Sequence, residues 1–180
     1  MKKKYYFIIT INLSNLTSKV LIILLKFIDK GIIFITSGFG IGYISHAQGT
    51  FGSIFGIIII LILTKIEVEI SLNFLIIIIF FSSLLCHRAN LIYEDDDSKH
   101  IVLDEIIGIL VATYNIPVTF LNFLICFLFF RFFDILKPFP ISFIDKNFKN
   151  GFGIILDDVL AGILSNILFI VFSSYFLKFA

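Results

Sequence analysis

Long apolar segments, none of which contains a charged residue, restrict the possible fold more than any other feature of this sequence. Five such segments follow one another after residue 50: Ser53–Thr64, Leu72–Cys86, Ile106–Ile116, Val118–Phe130 and Val159–Leu177. Hydrophobic residues make up 59% of the chain and charged residues 15%, whereas soluble domains have about 45–50% and about 25%. These values exclude a water-soluble globule and a disordered chain, and they predict an all-α, multi-pass integral membrane protein built as a helical bundle.

The spacing of the apolar segments predicts helical hairpins. Most of the segments are shorter than the about 20 residues that one membrane-crossing helix needs, so we expect the helix ends to reach into the polar layer. Short polar turns at Lys65–Glu69 and Asn115–Pro117 separate the members of two hairpins, and proline ends helices. Three longer loops then share the other side of the membrane: Ser37–Gly52, His87–Glu105 and Arg131–Asp158.

Basic residues are distributed very unevenly between these two sides. Only Lys65 and Lys178 fall on the side of the short turns, and the other 12 of the 14 Lys and Arg residues fall on the side of the long loops. Cytoplasmic loops of membrane proteins carry an excess of Lys and Arg, so we expect the long loops to face the cytoplasm. The net charge of +1 provides no overall basic field, which disfavours binding to nucleic acid.

The N-terminal segment 1–36 differs from the remainder of the chain, 37–180, which contains all five apolar segments and which we treat as one membrane domain. A basic start, Met1–Lys4, precedes the apolar stretch Val20–Ile35, which has no signal-peptide cleavage site. Four charged residues at helical spacing share one face of this stretch: Lys19, Lys26, Asp29 and Lys30. The pattern predicts an amphipathic helix that lies in the membrane interface, and a membrane crossing is the alternative.

Two acidic pairs stand in matching sequence contexts. Asp104 and Glu105, like Asp157 and Asp158, are expected at the start of an apolar helix, and each pair is followed by a glycine three or four residues later. Glycine lets two helices approach closely, so the four carboxylates are expected to converge. Their mutual repulsion predicts a Mg²⁺ ion bound by all four. The alternative is that the acids mark the membrane boundary or the helix N-termini.

A row of charged residues near the end of another helix provides candidate phosphate ligands. Arg131, Asp134 and Lys137 are spaced by three residues, which places them along one face of a helix that Pro138 ends. An Arg binds phosphate oxygens through two hydrogen bonds, and a Lys acts as a point charge. The alternative is a local salt bridge in a cytoplasmic flank.

A glycine-rich segment precedes the first apolar helix after residue 50. Gly49, Thr50 and Gly52 lie in this segment, where backbone N–H groups at a helix N-terminus can bind phosphate. The segment lacks the Lys of a P-loop, and glycines in such a place also simply form turns.

Four motifs in a fixed order carry a specific resemblance to a known family. They are Gly49-Thr-Phe-Gly-Ser53, Val102-Leu-Asp104-Glu105-Ile-Ile-Gly108, Arg131-Phe-Phe-Asp134-Ile-Leu-Lys137-Pro138-Phe-Pro140 and Gly151-Phe-Gly153-Ile-Ile-Leu-Asp157-Asp158-Val-Leu-Ala161-Gly162. In their order and spacing the chain resembles the phosphatidylglycerophosphatase A family, from about Gly38 to about Leu168. The resemblance implies a Mg²⁺-dependent phosphatase of the bacterial inner membrane, whose substrate is phosphatidylglycerophosphate and whose product is phosphatidylglycerol.

The resemblance and the residue patterns together predict a role for each site residue. The four acids of the two pairs hold Mg²⁺, with Asp158 also catalytic, and the glycine-rich segment contacts the substrate. Arg131 and Lys137 neutralise the phosphoryl group, and Asp134 orients Arg131 or acts as the general base. The partners are then the phospholipid substrate and the bilayer, and the oligomeric state stays open. A small divalent-cation transporter is the alternative from another class, because acidic pairs in helices also line ion pathways.

Overall fold

The computed structural model describes residues 16–95 and 98–176, and in that part of the chain every regular element is helical, as predicted. The basic start Met1–Lys4 and Lys178 lie outside the described residues. The described helices are α1 Leu16–Thr36, a short 3₁₀ helix Ile41–Tyr43, α2 Gln48–Lys65, α3 Leu72–Tyr93, α4 Leu103–Ala112, α5 Phe120–Leu136, α6 Ile141–Asn147 and α7 Gly151–Phe176.

Three of these helices are long and apolar enough to cross a membrane. They are α2, α3 and α7, and less than half of the apolar stretch in each is buried inside the protein. The exposed remainder of each helix is rich in Ile, Leu and Phe, which suits contact with lipid. The chain is therefore a membrane protein with several spans.

The short helix α4 lies at the centre of the bundle. It has ten residues, and all but Asp104 and Glu105 are buried. It packs mainly against α7 and α2, and also against α3 and α5. A helix that is apolar all round is stable only when neighbours surround it. The central position of α4 therefore places the two acids of its first turn among several other helices.

Two glycines allow α4 and α7 to approach closely, as predicted. A Cβ atom on Gly162 would lie 2.5 Å from the carbonyl oxygen of Gly108, a distance that real side chains do not adopt. A Cβ atom on Gly108 would lie 2.5 Å from the ring of Phe130 and 3.0 Å from the carbonyl oxygen of Asp158. This contact brings the two acidic pairs side by side.

The predicted turns are confirmed, whereas the predicted start of α7 is wrong. The connections between α2 and α3 and between α4 and α5 include Glu67 and Pro117. However, α7 begins at Gly151, so Asp157 and Asp158 are its seventh and eighth residues and do not lie at its start. The side chain of Asn150 explains the earlier start, because it accepts hydrogen bonds from the N–H groups of Phe152 and Gly153 at 3.1 and 2.9 Å.

The N-terminal apolar stretch forms a helix, but its charged residues do not share one exposed face. Lys26 and Lys30 are exposed, whereas Asp29 is 8% exposed and forms an ion pair with Arg88 of α3, with 2.7 Å between Oδ1 and Nη2. A buried carboxylate needs such a partner. The location of α1 in the membrane interface stays a prediction.

Candidate metal and phosphate site

Three carboxylates from two helices converge to form the centre of the candidate site. Asp104 and Glu105 come from the first turn of α4, and Asp158 comes from α7. One carboxylate oxygen from each residue lies within 4.8 Å of those from the other two. Each carboxylate also has one buried oxygen with no hydrogen-bond partner among the described residues: Asp104 Oδ1, Glu105 Oε2 and Asp158 Oδ2.

The clustering makes these carboxylates costly to ionise without a cation. Burial raises the pKa of Asp104 well above its ordinary value, and the nearby carboxylates of Glu105 and Asp158 raise it further. Burial also raises the pKa of Glu105, against an opposing hydrogen bond with Asp104. A bound cation would supply partners for the three unpaired oxygens and balance their charge. The donor set, which consists of carboxylate oxygens, fits a hard divalent metal ion.

Asp157 has a different partner from its neighbour Asp158. Its Oδ2 lies 2.6 Å from Nζ of Lys137, and its Oδ1 accepts a hydrogen bond from the backbone N–H of Asp158. It is therefore paired with a cation and lies outside the group of three. The predicted ligand set is thus split, with three acids together and the fourth against a lysine.

Lys137 does not lie on the same helix face as Arg131 and Asp134, contrary to the prediction from their spacing. It follows the last residue of α5 in a left-handed conformation, with φ of 43°. Its ammonium group is consequently directed to Asp157 and also to Asp145 of α6, at 2.5 Å. Burial favours the neutral amine, but the hydrogen bonds to these two carboxylates outweigh it and raise the pKa of Lys137 above its ordinary value.

Arg131 and Asp134 form the salt bridge that their spacing permits. Nη1 of Arg131 lies 2.6 Å from Oδ2 of Asp134, and both side chains are mostly buried. Nε of Arg131 is buried and has no hydrogen-bond partner among the described residues. The guanidinium group therefore retains a donor for a further anionic group.

The glycine-rich segment approaches the site at the N-terminus of α2. A Cβ atom on Gly49 would lie 3.0 Å from Nη1 of Arg131 and would collide with the carboxylate of Glu105. Gly52 instead packs against Val102, because a Cβ atom on Gly52 would lie 3.0 Å from Cβ of Val102. Thr50 lies in the first turn of α2 and is half-buried. The lack of a side chain at Gly49 thus leaves room for two groups of the site.

A polar cavity of about 250 Å³ opens over the carboxylates. Six carboxylates line it: Asp104, Glu105, Asp134, Asp145, Asp157 and Asp158. Its basic residues are Lys137 and Lys149, whereas Arg131 and the three predicted residues of the glycine-rich segment do not line it. A larger cavity of about 860 Å³, with Glu67 and Glu69 in its wall, contains none of the predicted site residues.

Two residues of the site, Asp145 and Lys149, were missed by reasoning from sequence. Asp145 is eight residues from its partner Lys137, a spacing with no meaning within a helix. The contact forms because the chain turns between α5 and α6. Lys149 immediately precedes Asn150, the residue that caps α7. Recognition of Asn150 as the cap would have placed Lys149 just before the helix that carries two of the acids.

Comparison with known proteins assigns the chain to a family. A family model described as phosphatidylglycerophosphatase A matches residues 34–173. The chain belongs to the phosphatidylglycerophosphatase A family. A protein of Haemophilus influenzae with that name is 41% identical over 128 residues, which cover 70% of this chain and 78% of the relative. The Escherichia coli protein of the same name is 31% identical over 129 residues, with 71% and 75% covered.

A third relative has a different name. This Bacteroides thetaiotaomicron protein, whose name refers to a phosphatidylinositol-3-phosphatase, is 30% identical over 146 residues, which cover 77% of this chain and 91% of the relative. No solved structure matches the chain.

Membership of the phosphatidylglycerophosphatase A family confirms the resemblance that the four motifs indicated, and all four lie within the matched residues. A phosphatase is an enzyme that hydrolyses phosphomonoesters, so the enzyme class is shown and the cation-transporter alternative is not favoured. Residues before 34, which include almost all of α1, lie outside the match.

Proposed function

We propose that this protein hydrolyses phosphatidylglycerophosphate to phosphatidylglycerol and inorganic phosphate, with Mg²⁺, at the cytoplasmic face of the bacterial inner membrane. The group of three carboxylates, each with one buried and unpaired oxygen, carries the proposal in a chain of this family. The substrate is taken from the two relatives named phosphatidylglycerophosphatase A.

Mg²⁺ suits the acidic group because it prefers carboxylate oxygens and retains several water ligands, so few protein ligands suffice. Asp104, Glu105 and Asp158 would hold the ion. When bound, it supplies Lewis-acid polarisation of the phosphoryl oxygen and a more acidic water molecule. Asp157, the fourth ligand expected from sequence, has Lys137 as its partner, and we assign it the role of holding that lysine.

The basic residues balance the charge of the phosphoryl group. Lys137 lines the cavity with its position fixed by two carboxylates, so its ammonium group is ready to contact a phosphoryl oxygen. Arg131 is oriented by its salt bridge with Asp134, which lines the cavity, and its positive charge adds to the electrostatic attraction for the phosphoryl group. At the N-terminus of α2, the N–H groups of Gly49 and Thr50 would add to this anion-binding region.

The cytoplasmic orientation rests on the distribution of charge. The N-terminal segment and the long loops together contain 12 of the 14 Lys and Arg residues, and the long loops are also those that lead into α2, α4 and α7 and into the site. The positive-inside rule places such loops in the cytoplasm. The related proteins of Haemophilus influenzae and Escherichia coli support a bacterial membrane as the location.

Phosphate release by the detergent-purified protein tests the proposal. Phosphatidylglycerophosphate and phosphatidylinositol 3-phosphate are supplied in the same mixed micelles, first with Mg²⁺ and then with EDTA. We expect release from phosphatidylglycerophosphate to be at least about tenfold faster and to stop in EDTA. Faster release from the inositol lipid would contradict the proposed substrate, and release that persists in EDTA would contradict the proposed metal.

A further inference from the structure

Two lysines line the cavity over the carboxylates, and their surroundings differ. Lys137 already has two carboxylate partners, at 2.5 and 2.6 Å. Lys149 is exposed, lines the same cavity, and has no ion pair or hydrogen bond to any residue that the structure describes. Lys149 therefore has no carboxylate partner that fixes its ammonium group, whereas Lys137 is held by two carboxylates beside the reacting phosphate.

The backbone around Lys149 is held in place by both of its neighbours. The N–H of Phe148 donates to the carbonyl of Ile144 at 2.9 Å, and Gly153 packs directly against the carbonyl of Phe148. Asn150 caps α7 through two hydrogen bonds. Lys149 thus has a fixed backbone just before the helix that carries Asp158, and it lines this cavity and also a second one with Glu94 and Asp95 in its wall.

The proposed substrate has two phosphates with different chemistry, and this inference rests on the proposed function. The terminal phosphomonoester is the group that reacts, and a phosphodiester joins the glycerol to the lipid. Six carboxylates line the cavity, so the negative charge of the diester needs a separate cation at the rim. Arg131 does not line the cavity and Lys137 is paired.

We propose that Lys149 binds the phosphodiester of the lipid headgroup and is a specificity-determining residue for substrates with a second phosphate. Its ammonium group contacts the diester while the monoester lies over Asp104, Glu105 and Asp158. The product, phosphatidylglycerol, retains the diester and therefore also binds Lys149. Inorganic phosphate resembles only the reacting group and does not need this lysine.

Steady-state kinetics of Lys149→Gln in mixed micelles tests the assignment. The KM for phosphatidylglycerophosphate and the inhibition constant of phosphatidylglycerol are expected to rise together, by about five- to tenfold. The kcat and the inhibition constant of inorganic phosphate should stay within about twofold of the wild-type values. Raising the salt concentration should reduce the difference between variant and wild type, because this ion pair is exposed.

The matched control is Lys146→Gln, which removes an exposed lysine three residues away that does not line the cavity. It should leave the KM, the kcat and both inhibition constants unchanged. Lys149→Arg, which keeps the positive charge, should have a KM close to that of the wild-type protein. An unchanged KM in Lys149→Gln, or an equal rise in the inhibition constant of inorganic phosphate, would overturn the assignment. Failure of the proposed function is distinguishable, because the wild-type protein would then release no phosphate from phosphatidylglycerophosphate.

Discussion

Asp157 and Asp158 are adjacent in sequence but have different partners, because neighbouring residues of a helix point about 100° apart. Asp158 joins Asp104 and Glu105, whereas Asp157 pairs with Lys137. Removal of the Asp158 carboxylate should therefore weaken metal binding. Removal of the Asp157 carboxylate should instead change the position of the Lys137 ammonium group, and the two effects can be measured separately.

Asp157→Asn should retain its affinity for Mg²⁺ within about twofold and lose about ten- to a hundredfold in kcat, because Lys137 loses one of the two groups that position it. Calorimetric titration with Mg²⁺ and steady-state phosphate release measure the two quantities. Asp145→Asn, which removes the other and more exposed partner of the lysine, should have a smaller effect. A tenfold loss of Mg²⁺ affinity in Asp157→Asn would show that Asp157 is a metal ligand.

Lys137→Gln should lower stability as well as activity, since it leaves the carboxylate of Asp157, which is only 8% exposed, without its cation. The expected loss is about 1–3 kcal/mol in the free energy of unfolding. The double variant Lys137→Gln with Asp157→Asn should recover most of this stability but not the activity. Thermal unfolding in detergent provides the comparison, and a double variant no more stable than Lys137→Gln would contradict the proposed pairing.

The helices show how far the sequence could predict the structure. Apolar segments located the cores of α2, α3, α5 and α7, because burial in lipid requires uninterrupted apolar residues. They missed the first two turns of α7, near which Asp157 pairs with Lys137 and Asp158 joins the two acids of α4. The spacing of Arg131 and Asp134 placed them on one helix face, where they form the salt bridge that was the alternative to a row of phosphate ligands. It failed for Lys137, because the left-handed residue after α5 changes the direction of the chain.

Gly162→Ala tests the close contact between α4 and α7. The added methyl group would meet the carbonyl oxygen of Gly108, so we expect a loss of about 1–3 kcal/mol in stability and a loss of activity as the acidic pairs separate. Gly31→Ala is the matched control, because nothing lies within 4 Å of its Cβ position, and it should be neutral or slightly stabilising. Equal thermal unfolding temperatures for the two variants would contradict the close contact.

At the scale of the whole molecule, polar chemistry is concentrated at one end of the bundle. The acidic group, the polar cavity and the connections after α1, α3 and α5 belong to this end, whereas Glu67 and Glu69 lie in the connection between α2 and α3. Charge counts in the sequence predict the same asymmetry, because cytoplasmic loops of membrane proteins carry an excess of Lys and Arg, and the cytoplasmic location of this end stays a prediction. The sequence could not determine whether α1 crosses the membrane, since a helix with an apolar face and a few charges suits either location.

Labelling of single cysteines in right-side-out vesicles tests this topology. The buried Cys86 and Cys126 are first replaced by Ala, and Ser45→Cys, Glu69→Cys or Lys19→Cys is then introduced at an exposed position. A membrane-impermeant maleimide should label Glu69→Cys in intact vesicles, and Ser45→Cys only after permeabilisation. Lys19→Cys should behave like Ser45→Cys when α1 lies in the interface. Labelling of Lys19→Cys in intact vesicles would instead show that α1 crosses the membrane.

The most direct test of the central claim is to measure Mg²⁺ binding and phosphate release from phosphatidylglycerophosphate in Asp158→Asn, beside Glu69→Gln as a control. Glu69 is an exposed acid in the connection between α2 and α3, and it does not line the cavity over the three carboxylates. We predict that Asp158→Asn remains folded in detergent, binds Mg²⁺ at least about tenfold more weakly and has no measurable turnover, while Glu69→Gln matches the wild-type protein in both measurements. Full turnover by Asp158→Asn would contradict the assignment of the three carboxylates as the catalytic metal site.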